Sequence, residues 1–406
     1  MNHRISDIQL LRGIAVIFVL IEHAHFDLFQ QRSGALEYFY QIFGGWVGVD
    51  LFFAISGFVI ARDLIPQLLR NDVWQVSTVV RFWARRATRL WPSAWLWLAL
   101  ILVAVIFFNH SLAFGHLGPN LEATLAGVFN YGNFRLVETF GRSEYGASFP
   151  YWSLSLEEQF YLALPLIAII FRRRLPWVLA IAIVYQFCSH RHFNPLMMAT
   201  RSDALMLGVL LAMWSSHDSY RRCAPTFLEH RKWLRWAVLA ALAIGMALVG
   251  AMRFVEWRFQ VGVVALMAIS LVFVGSYDKD YLMPDNPLKK IFLWFGSRSY
   301  ALYLAHISAY YACREIWFRI EPANTVFDTT YNIPFILTAS VLLFGFAELT
   351  YRFVETPCRL HGKMLAERIN FDSTQFDNSA LGRRFQTLRA YFALRSFKRN
   401  NPDSSV

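Results

Sequence analysis

Residues 8–28 read IQLLRGIAVIFVLIEHAHFDL, an apolar run that contains Arg12 near its start and His23 near its end. A helix needs roughly 20 mainly apolar residues to cross the hydrocarbon core of a bilayer, so this stretch predicts a transmembrane helix. A buried arginine and a polar histidine-rich end are not typical of a cleaved signal peptide. We therefore expect this helix to be retained.

Further stretches of the same character follow along the chain. They lie at 45–63, 90–109, 151–171, 176–190, 199–215, 233–252, 258–276, 297–318 and 332–353. The pattern predicts an all-α integral membrane protein, a bundle of about ten transmembrane helices. The segment 118–140 has an apolar centre that Asn130 and Gly132 interrupt, and we interpret it as a loop or a re-entrant piece.

Composition and charge agree with a membrane location. Of the 406 residues, 56% are hydrophobic and only 17% are charged. Soluble domains typically have about 45–50% apolar residues and about 25% charged residues. The net charge of +11 could indicate a nucleic-acid partner. The basic residues, however, cluster in short loops between apolar runs, such as 172–174. That distribution is typical of the positive-inside rule. It predicts both termini in the cytoplasm and no nucleic-acid partner.

The chain divides by composition at residue 357. Residues 1–357 form the predicted membrane domain, and 358–406 form a polar, basic cytoplasmic tail. Leu381, Phe385, Leu388 and Phe392 recur at helical spacing, which favours an amphipathic helix on the membrane surface. The alternative is a partly disordered tail. The four cysteines lack metal-ligand spacing, and we expect no metal.

Arg12 and His23 lie on one stripe of the first predicted helix. Eleven residues at about 100° each return almost to the starting face, roughly 16 Å further along the axis. Ionisable residues within a membrane are costly and mark functional sites. The alternative is that Arg12 reaches lipid headgroups and that His23 is a hydrogen-bonded packing residue.

Other predicted helices bring polar residues to the level of His23. Five residues belong to this group: Asp50, Glu157, Glu158, Arg201 and Asp203. Because charged groups facing lipid are costly, we expect these helices to share a polar interior. The two adjacent glutamates cannot both point inward.

Arg86 and Arg89 are predicted to lie near the cytoplasmic side, three residues apart and so on one helix face. Paired guanidinium groups suit phosphates, although anchoring to the membrane surface is the alternative. In the stretch 297–318, Tyr303 is expected to satisfy an interhelical hydrogen bond, and the role of His306 stays open.

Seven motifs together resemble the membrane acyltransferase-3 superfamily, over about residues 5–357. They are Arg12-Gly with His23, Gly48-Val-Asp50-Leu-Phe-Phe-Ala-Ile-Ser56-Gly57-Phe, Arg86-Ala-Thr-Arg89-Leu-Trp-Pro92, Trp152-Ser153-Leu-Ser-Leu-Glu157-Glu158-Gln-Phe-Tyr161, Arg201-Ser-Asp203, Ser299-Tyr300-Ala-Leu-Tyr303-Leu-Ala-His306 and Glu355-Thr-Pro357. The family includes bacterial enzymes that O-acetylate surface polysaccharides, so the resemblance implies a location in the bacterial inner membrane.

The resemblance implies that Arg12 and His23 are essential and that Arg86 and Arg89 serve the acyl donor. We accordingly assign Arg12, Arg86 and Arg89 to the binding of cytoplasmic acyl-CoA, with acetyl-CoA expected. The acceptor is expected to be a carbohydrate, either a cell-surface or a lipid-linked saccharide. We assign substrate binding to the motif residues Trp152, Ser153, Arg201, Asp203 and Tyr300.

His23 is the expected general base, because an imidazole that titrates near neutrality suits this role. Asp50, Glu158 or Asp203 would orient the ring, as the carboxylate of a catalytic triad does. An acyl-histidine intermediate is a second possibility. A transporter or flippase for a lipid-linked saccharide is the alternative function, since buried charges also mark transport pathways; it predicts internal repeats, which the sequence does not contain.

Overall fold

A computed structural model describes residues 5–69, 75–189, 191 and 194–369 of the chain, and the described part consists of helices and loops without a β-strand. In chain order the α-helices are α1 (Ser6–His23), α2 (Gly34–Ile42), α3 (Val47–Leu69), α4 (Gln75–Phe107), α5 (Leu117–Val128), α6 (Gly132–Thr139), α7 (Tyr151–Phe171), α8 (Leu175–Cys188), α9 (Pro195–Ala199), α10 (Asp203–Trp214), α11 (Asp218–Arg222), α12 (Lys232–Val249), α13 (Gln260–Gly275), α14 (Pro287–Ser297), α15 (Ser299–Ile320), α16 (Asn332–Thr350) and α17 (Thr356–Arg368).

The prediction of an all-helical fold is confirmed for the described residues, and each of the predicted apolar stretches overlaps a helix. Among the described residues, five helical segments are long and apolar enough to cross a membrane, and six if α2 and α3, bent by 41°, count as one span. α7 and α15 are not among these segments, because their several polar residues lower the mean hydropathy. Ten crossings and cytoplasmic termini stay predictions.

The segment 118–140, for which a loop or a re-entrant piece was expected, folds into α5 and α6. The loop interpretation is therefore wrong, and a re-entrant path stays a prediction. The predicted interruption is real, since Asn130 adopts a positive φ of 56° between the two helices. α6 then packs on α7, where the backbone N–H of Gly132 donates to Ser155 Oγ at 3.0 Å. The two short helices thereby form one wall beside the first turns of α7.

α3 and α10 pack closely because each presents a glycine to the other. A Cβ on Gly57 would collide with the carbonyl of Leu205, and a Cβ on Gly208 would collide with the carbonyl of Ala54. Small residues allow helix backbones to approach in membranes, where van der Waals packing is a main source of association. This contact places the start of α10 beside the first turns of α3.

Two α-helices continue through π-helical turns. α1 continues into Ala24–Leu28, and α16 continues through Tyr351–Glu355 into α17. Such turns are rare and occur frequently at functional sites, because the extra residue re-aims the side chains that follow it. The first turn supplies Asp27 to the site described below.

The first residues of the predicted tail, 358–368, belong to α17, which packs along α4. A Cβ on Gly362 would collide with the Thr88 hydroxyl, and Arg81 Nε donates to the carbonyl of Ile369 at 2.7 Å. The segment 381–392, for which we predicted an amphipathic helix, lies outside the described residues.

Candidate active site

Arg12, Arg86 and Arg89 line one interior cavity, together with Glu157 and Tyr161. The three arginines come from α1 and α4, and the other two residues come from α7. The Arg86 guanidinium lies over the Tyr161 ring, 5.6 Å from its centroid. No ion pair of these arginines occurs within the described part of the chain. Guanidinium groups that form no ion pair leave hydrogen-bond donors available to an anionic ligand.

A second cavity, of about 160 Å³, adjoins the first toward α17. Arg12 and Arg89 line both cavities, and the second adds Arg62 from α3 and Arg359 from α17. Arg359 lies 3.8 Å from Glu355. A row of basic side chains therefore runs from the end of the bundle at α17 into its interior.

His23, at the other end of α1, is paired with a carboxylate. Its Nδ1 lies 3.4 Å from Asp27 Oδ2, and the side chains are 21% and 10% exposed. Tyr311 Oη donates to Asp27 Oδ1 at 2.7 Å. The carboxylate is thus held by α15 on one side and directed toward the imidazole on the other.

A second imidazole packs against His23. The ring centroids of His23 and His306 are 4.9 Å apart, and Phe149 lies 5.1 Å from His23. His306 is completely buried, and its Nδ1 lies 2.6 Å from the carbonyl oxygen of Tyr303. Because a carbonyl oxygen can only accept, this contact requires the proton on Nδ1. The other ring nitrogen, Nε2, has no hydrogen-bond partner in the described structure.

Tyr303 and Ser153 connect the arginine-lined cavity to the two histidines. Both line the first cavity, and their hydroxyl oxygens are 2.6 Å apart. The Tyr303 ring lies 5.6 Å from the His306 ring. The expectation that Tyr303 makes an interhelical hydrogen bond is confirmed. Side-chain contacts therefore link the arginine cavity, through Ser153 and Tyr303, to the histidine pair.

Asp50 and Asp203 lie in a different place from the one expected for partners of His23. Asp50 Oδ2 is 3.2 Å from Arg201, and Asp203 Oδ2 is 2.8 Å from Arg191. All four side chains are almost completely buried. The glycine contact between α3 and α10 sets this arrangement, because it brings the start of α10 onto Asp50. These carboxylates are paired with arginines, and Asp27 is the acidic residue beside His23.

Arg201 also lies between two tryptophans. Its guanidinium carbon is 4.9 Å from the ring centroid of Trp46 and 5.1 Å from that of Trp152. A cation between two aromatic rings is stabilised by both ring faces. The predicted substrate residues Trp152, Arg201 and Asp203 thus belong to one buried network. Ser153 and Tyr300 line the arginine cavity instead.

The two adjacent glutamates of α7 point in different directions, as expected for neighbours on a helix. Glu157 lines the arginine cavity and accepts a hydrogen bond from Tyr161 Oη. Glu158, which we had assigned to catalysis, accepts from Trp91 Nε1 at 2.8 Å. The structure therefore brings Glu157, rather than Glu158, to the arginines.

The spacing of Asp27 from His23 in the sequence is a signal that the two side chains are neighbours. Asp27 follows His23 by four residues, a spacing that places two side chains on the same helix face. The predicted carboxylate partners of His23 (Asp50, Glu158 and Asp203) all lie on other helices. Glu157 had no comparable signal, because only the orientation of α7 separates it from Glu158.

A helical membrane protein that has arginines without ion pairs on one cavity, and a histidine–aspartate pair linked to that cavity through Tyr303, has side chains suited to a group-transfer enzyme. The family model described as an acyltransferase domain matches residues 5–347. The chain belongs to this acyltransferase family, and the resemblance noted from the motifs is confirmed.

Curated relatives agree with the family. The peptidoglycan O-acetyltransferase OatA of Listeria monocytogenes is 27% identical over 394 residues, which cover 88% of this chain and 56% of the relative. The O-acetyltransferase OatA of Staphylococcus aureus is 25% identical over 382 residues, covering 87% of this chain and 57% of the relative. The chain thus spans little more than half the length of these relatives. No solved structure matches the chain.

Proposed function

We propose that this protein transfers an acyl group, most simply acetyl, from cytoplasmic acyl-CoA to a hydroxyl of a saccharide at the outer side of the bacterial inner membrane. Cell-wall saccharides are the acceptor class suggested by the name of the Listeria monocytogenes relative, a peptidoglycan O-acetyltransferase. The observation that carries the proposal is that Arg12, Arg86 and Arg89, which form no ion pair, share one cavity, which contacts through Tyr303 and His306 link to His23.

The arginines would hold the phosphates of the donor. Planar guanidinium groups bind phosphate oxygens through two parallel hydrogen bonds. Arg12 and His23 are separated by about 16 Å along α1, from a rise of 1.5 Å per residue. An extended pantetheine arm spans such a distance. The thioester would then reach the histidines while the nucleotide stays among the arginines.

His23 would act as the general base. With the proton on Nδ1, toward Asp27, the Nε2 lone pair takes the proton of the acceptor hydroxyl as its oxygen attacks the thioester carbonyl. The new oxygen–carbon bond forms, the carbon–sulfur bond breaks, and the imidazolium returns its proton to the leaving thiolate. Asp27 stabilises the imidazolium, and it is a positioning residue because it acts through the ring.

The test uses purified protein in lipid nanodiscs with isotope-labelled acetyl-CoA and a cell-wall saccharide. Mass spectrometry is expected to detect a labelled O-acetyl ester on the saccharide in the absence of any ion gradient or membrane potential. A transporter would move saccharide across a vesicle membrane and leave it unmodified. Absence of both ester formation and acetyl-CoA binding would reject the proposal.

A further inference from the structure

α4, α15 and α16 enclose a second large space that the proposed reaction does not use. It is an apolar cleft of about 610 Å³, and aromatic side chains form much of its wall, including Trp97, Phe108, Phe114 and Phe346. The Thr350 hydroxyl in this wall accepts from Trp97 Nε1 at 3.2 Å and donates to the carbonyl of Phe346 at 2.8 Å. The cleft therefore favours an apolar ligand.

The shape of the cleft suits a long chain. Along α4 its lining extends from Leu96 to Phe108, which is about 18 Å at 1.5 Å per residue. On the opposite side it follows α16 from Leu342 to Val354, beyond the π-helical turn. The cleft therefore runs parallel to the helices over much of the thickness of a hydrocarbon core, which is about 30 Å.

An arginine that forms an ion pair with a buried glutamate lies at one end of the cleft. The Arg319 guanidinium lies over the ring of Phe108, 4.6 Å from its centroid. Arg319 Nε binds Glu315 at 2.7 Å, and its two terminal nitrogens form no hydrogen bond within the described residues. Glu315 also accepts from the backbone N–H groups of His110 and Ser111. Free guanidinium donors at the mouth of an apolar cleft suit a phosphate attached to a hydrocarbon chain.

The same end of the cleft lies close to the proposed general base. Phe114 lines the cleft, and its ring centroid is 5.6 Å from that of Tyr311. Tyr311 in turn donates to Asp27, the partner of His23. Two aromatic side chains therefore separate a molecule in the cleft from the histidine–aspartate pair.

We propose that this cleft binds the hydrocarbon chain of the acceptor, a saccharide linked through phosphate to a polyisoprenyl chain, with the phosphate at Arg319. This inference rests on the proposed function, because it assigns a carrier to the acceptor. An anchor beside Asp27 would hold the attached saccharide near His23. A phospholipid has the same apolar chemistry but carries no saccharide, so it serves as the competing ligand in the test.

The experiment uses a photoreactive polyisoprenyl phosphate with the full chain in phosphatidylcholine nanodiscs. Adducts are expected on peptides within 96–108 and 308–316, and unlabelled polyisoprenyl phosphate is expected to compete. The corresponding alcohol, which lacks the phosphate, and additional phosphatidylcholine are expected to compete weakly. Adducts spread over all lipid-facing helices, or equal competition by phosphatidylcholine, would show ordinary surrounding lipid and overturn the proposal.

Ala312→Trp fills the cleft from α15, and Ala241→Trp on the exposed face of α12 is the matched control. Labelling is expected to fall at least about tenfold in the first variant, because several methylene groups lose their contacts. It is expected to be unchanged in the control. Equal labelling of both variants would overturn the proposal. If Ala312→Trp fails to fold, the labelling pattern of the unaltered protein decides whether the cleft binds the polyisoprenyl chain.

Acetylation of two acceptors separates this inference from the proposed function. Ala312→Trp is expected to lose transfer to a polyisoprenyl-linked saccharide and to retain transfer to a water-soluble fragment of it. Equal loss with both acceptors would contradict a role for the cleft in acceptor anchoring. If the unaltered protein acetylates neither acceptor, the proposed function fails while the labelling result still reports on the cleft.

Discussion

His23 Nδ1 lies 3.4 Å from Asp27 Oδ2, four residues further along the same polypeptide segment. The contact forms where α1 passes into the π-helical turn Ala24–Leu28. The base and its carboxylate therefore come from one continuous helix, and no other helix needs to move to assemble them. Other helices supply the surroundings of the pair, Tyr311 for the aspartate and His306 for the imidazole.

His23→Ala is expected to abolish acyl transfer while leaving acetyl-CoA binding intact, because the arginines lie at the other end of α1. Loss of a general base costs about 10²–10⁴-fold in rate. His25→Ala is the control, since its ring stacks on Tyr40, at 4.2 Å, away from His306. Rates of O-acetylation in nanodiscs measure the effect. Activity retained in His23→Ala would place the base elsewhere.

Asp27→Asn is expected to slow transfer by about 10²–10⁴-fold, because an amide does not stabilise the imidazolium and favours the wrong tautomer. Asp50→Asn makes the same chemical change at a carboxylate that pairs with Arg201 and not with His23, so it is the variant with which Asp27→Asn is compared. A changed pH profile of kcat in Asp27→Asn distinguishes positioning from packing. The combined variant His23→Ala, Asp27→Asn should be no slower than His23→Ala; additive losses would contradict a shared role.

Arg86→Ala and Arg89→Ala are each expected to weaken acetyl-CoA binding by about ten- to a hundredfold, from the loss of a charge-assisted hydrogen bond to phosphate. Arg85→Ala is the matched control on the same helix, because this side chain is exposed and does not line the cavity. Calorimetry on nanodiscs gives the Kd. An equal effect of all three substitutions would indicate a general loss of positive charge.

Arg201→Met is expected to destabilise the protein by about 3–5 kcal/mol, because it leaves Asp50 buried without its partner. The double variant Asp50→Leu, Arg201→Met removes both charges and should recover much of the lost stability. Thermal unfolding in detergent provides the measurement. If the double variant is stable and fully active, the pair has a structural role, and the assignment of Arg201 to substrate binding is wrong.

Reporter fusions after residue 140 and near residue 325 are expected to report the outer side, and fusions after 70, 225 and 370 the cytoplasm. The reason is the concentration of basic residues in the loops assigned to the cytoplasm. A cytoplasmic result at 140 would contradict the predicted orientation of the bundle and place the His23 end of α1 on the cytoplasmic side. Alkaline phosphatase and fluorescent-protein fusions give the two readouts.

The amino-acid sequence was sufficient to predict the helical membrane architecture and the family. Apolar runs of membrane length predict helices because the backbone in a bilayer must satisfy its own hydrogen bonds. The stripe that joins Arg12 to His23 follows from helical geometry alone. The interruption of 118–140 was also predicted, although the propensity of both halves to form α5 and α6 was underestimated.

The choice among carboxylates depended on how the helices pack. Asp50, Asp203 and Glu158 carry the same chemical group as Asp27, and their depth in the membrane is similar by sequence. Their partners are decided by contacts between distant segments, such as the approach of Gly57 to Leu205. The rotation of α7 about its axis likewise decides that Glu157 faces the arginines and Glu158 faces Trp91. This rotation could not be predicted from the sequence, because α7 has apolar residues on all of its faces and therefore no amphipathic pattern.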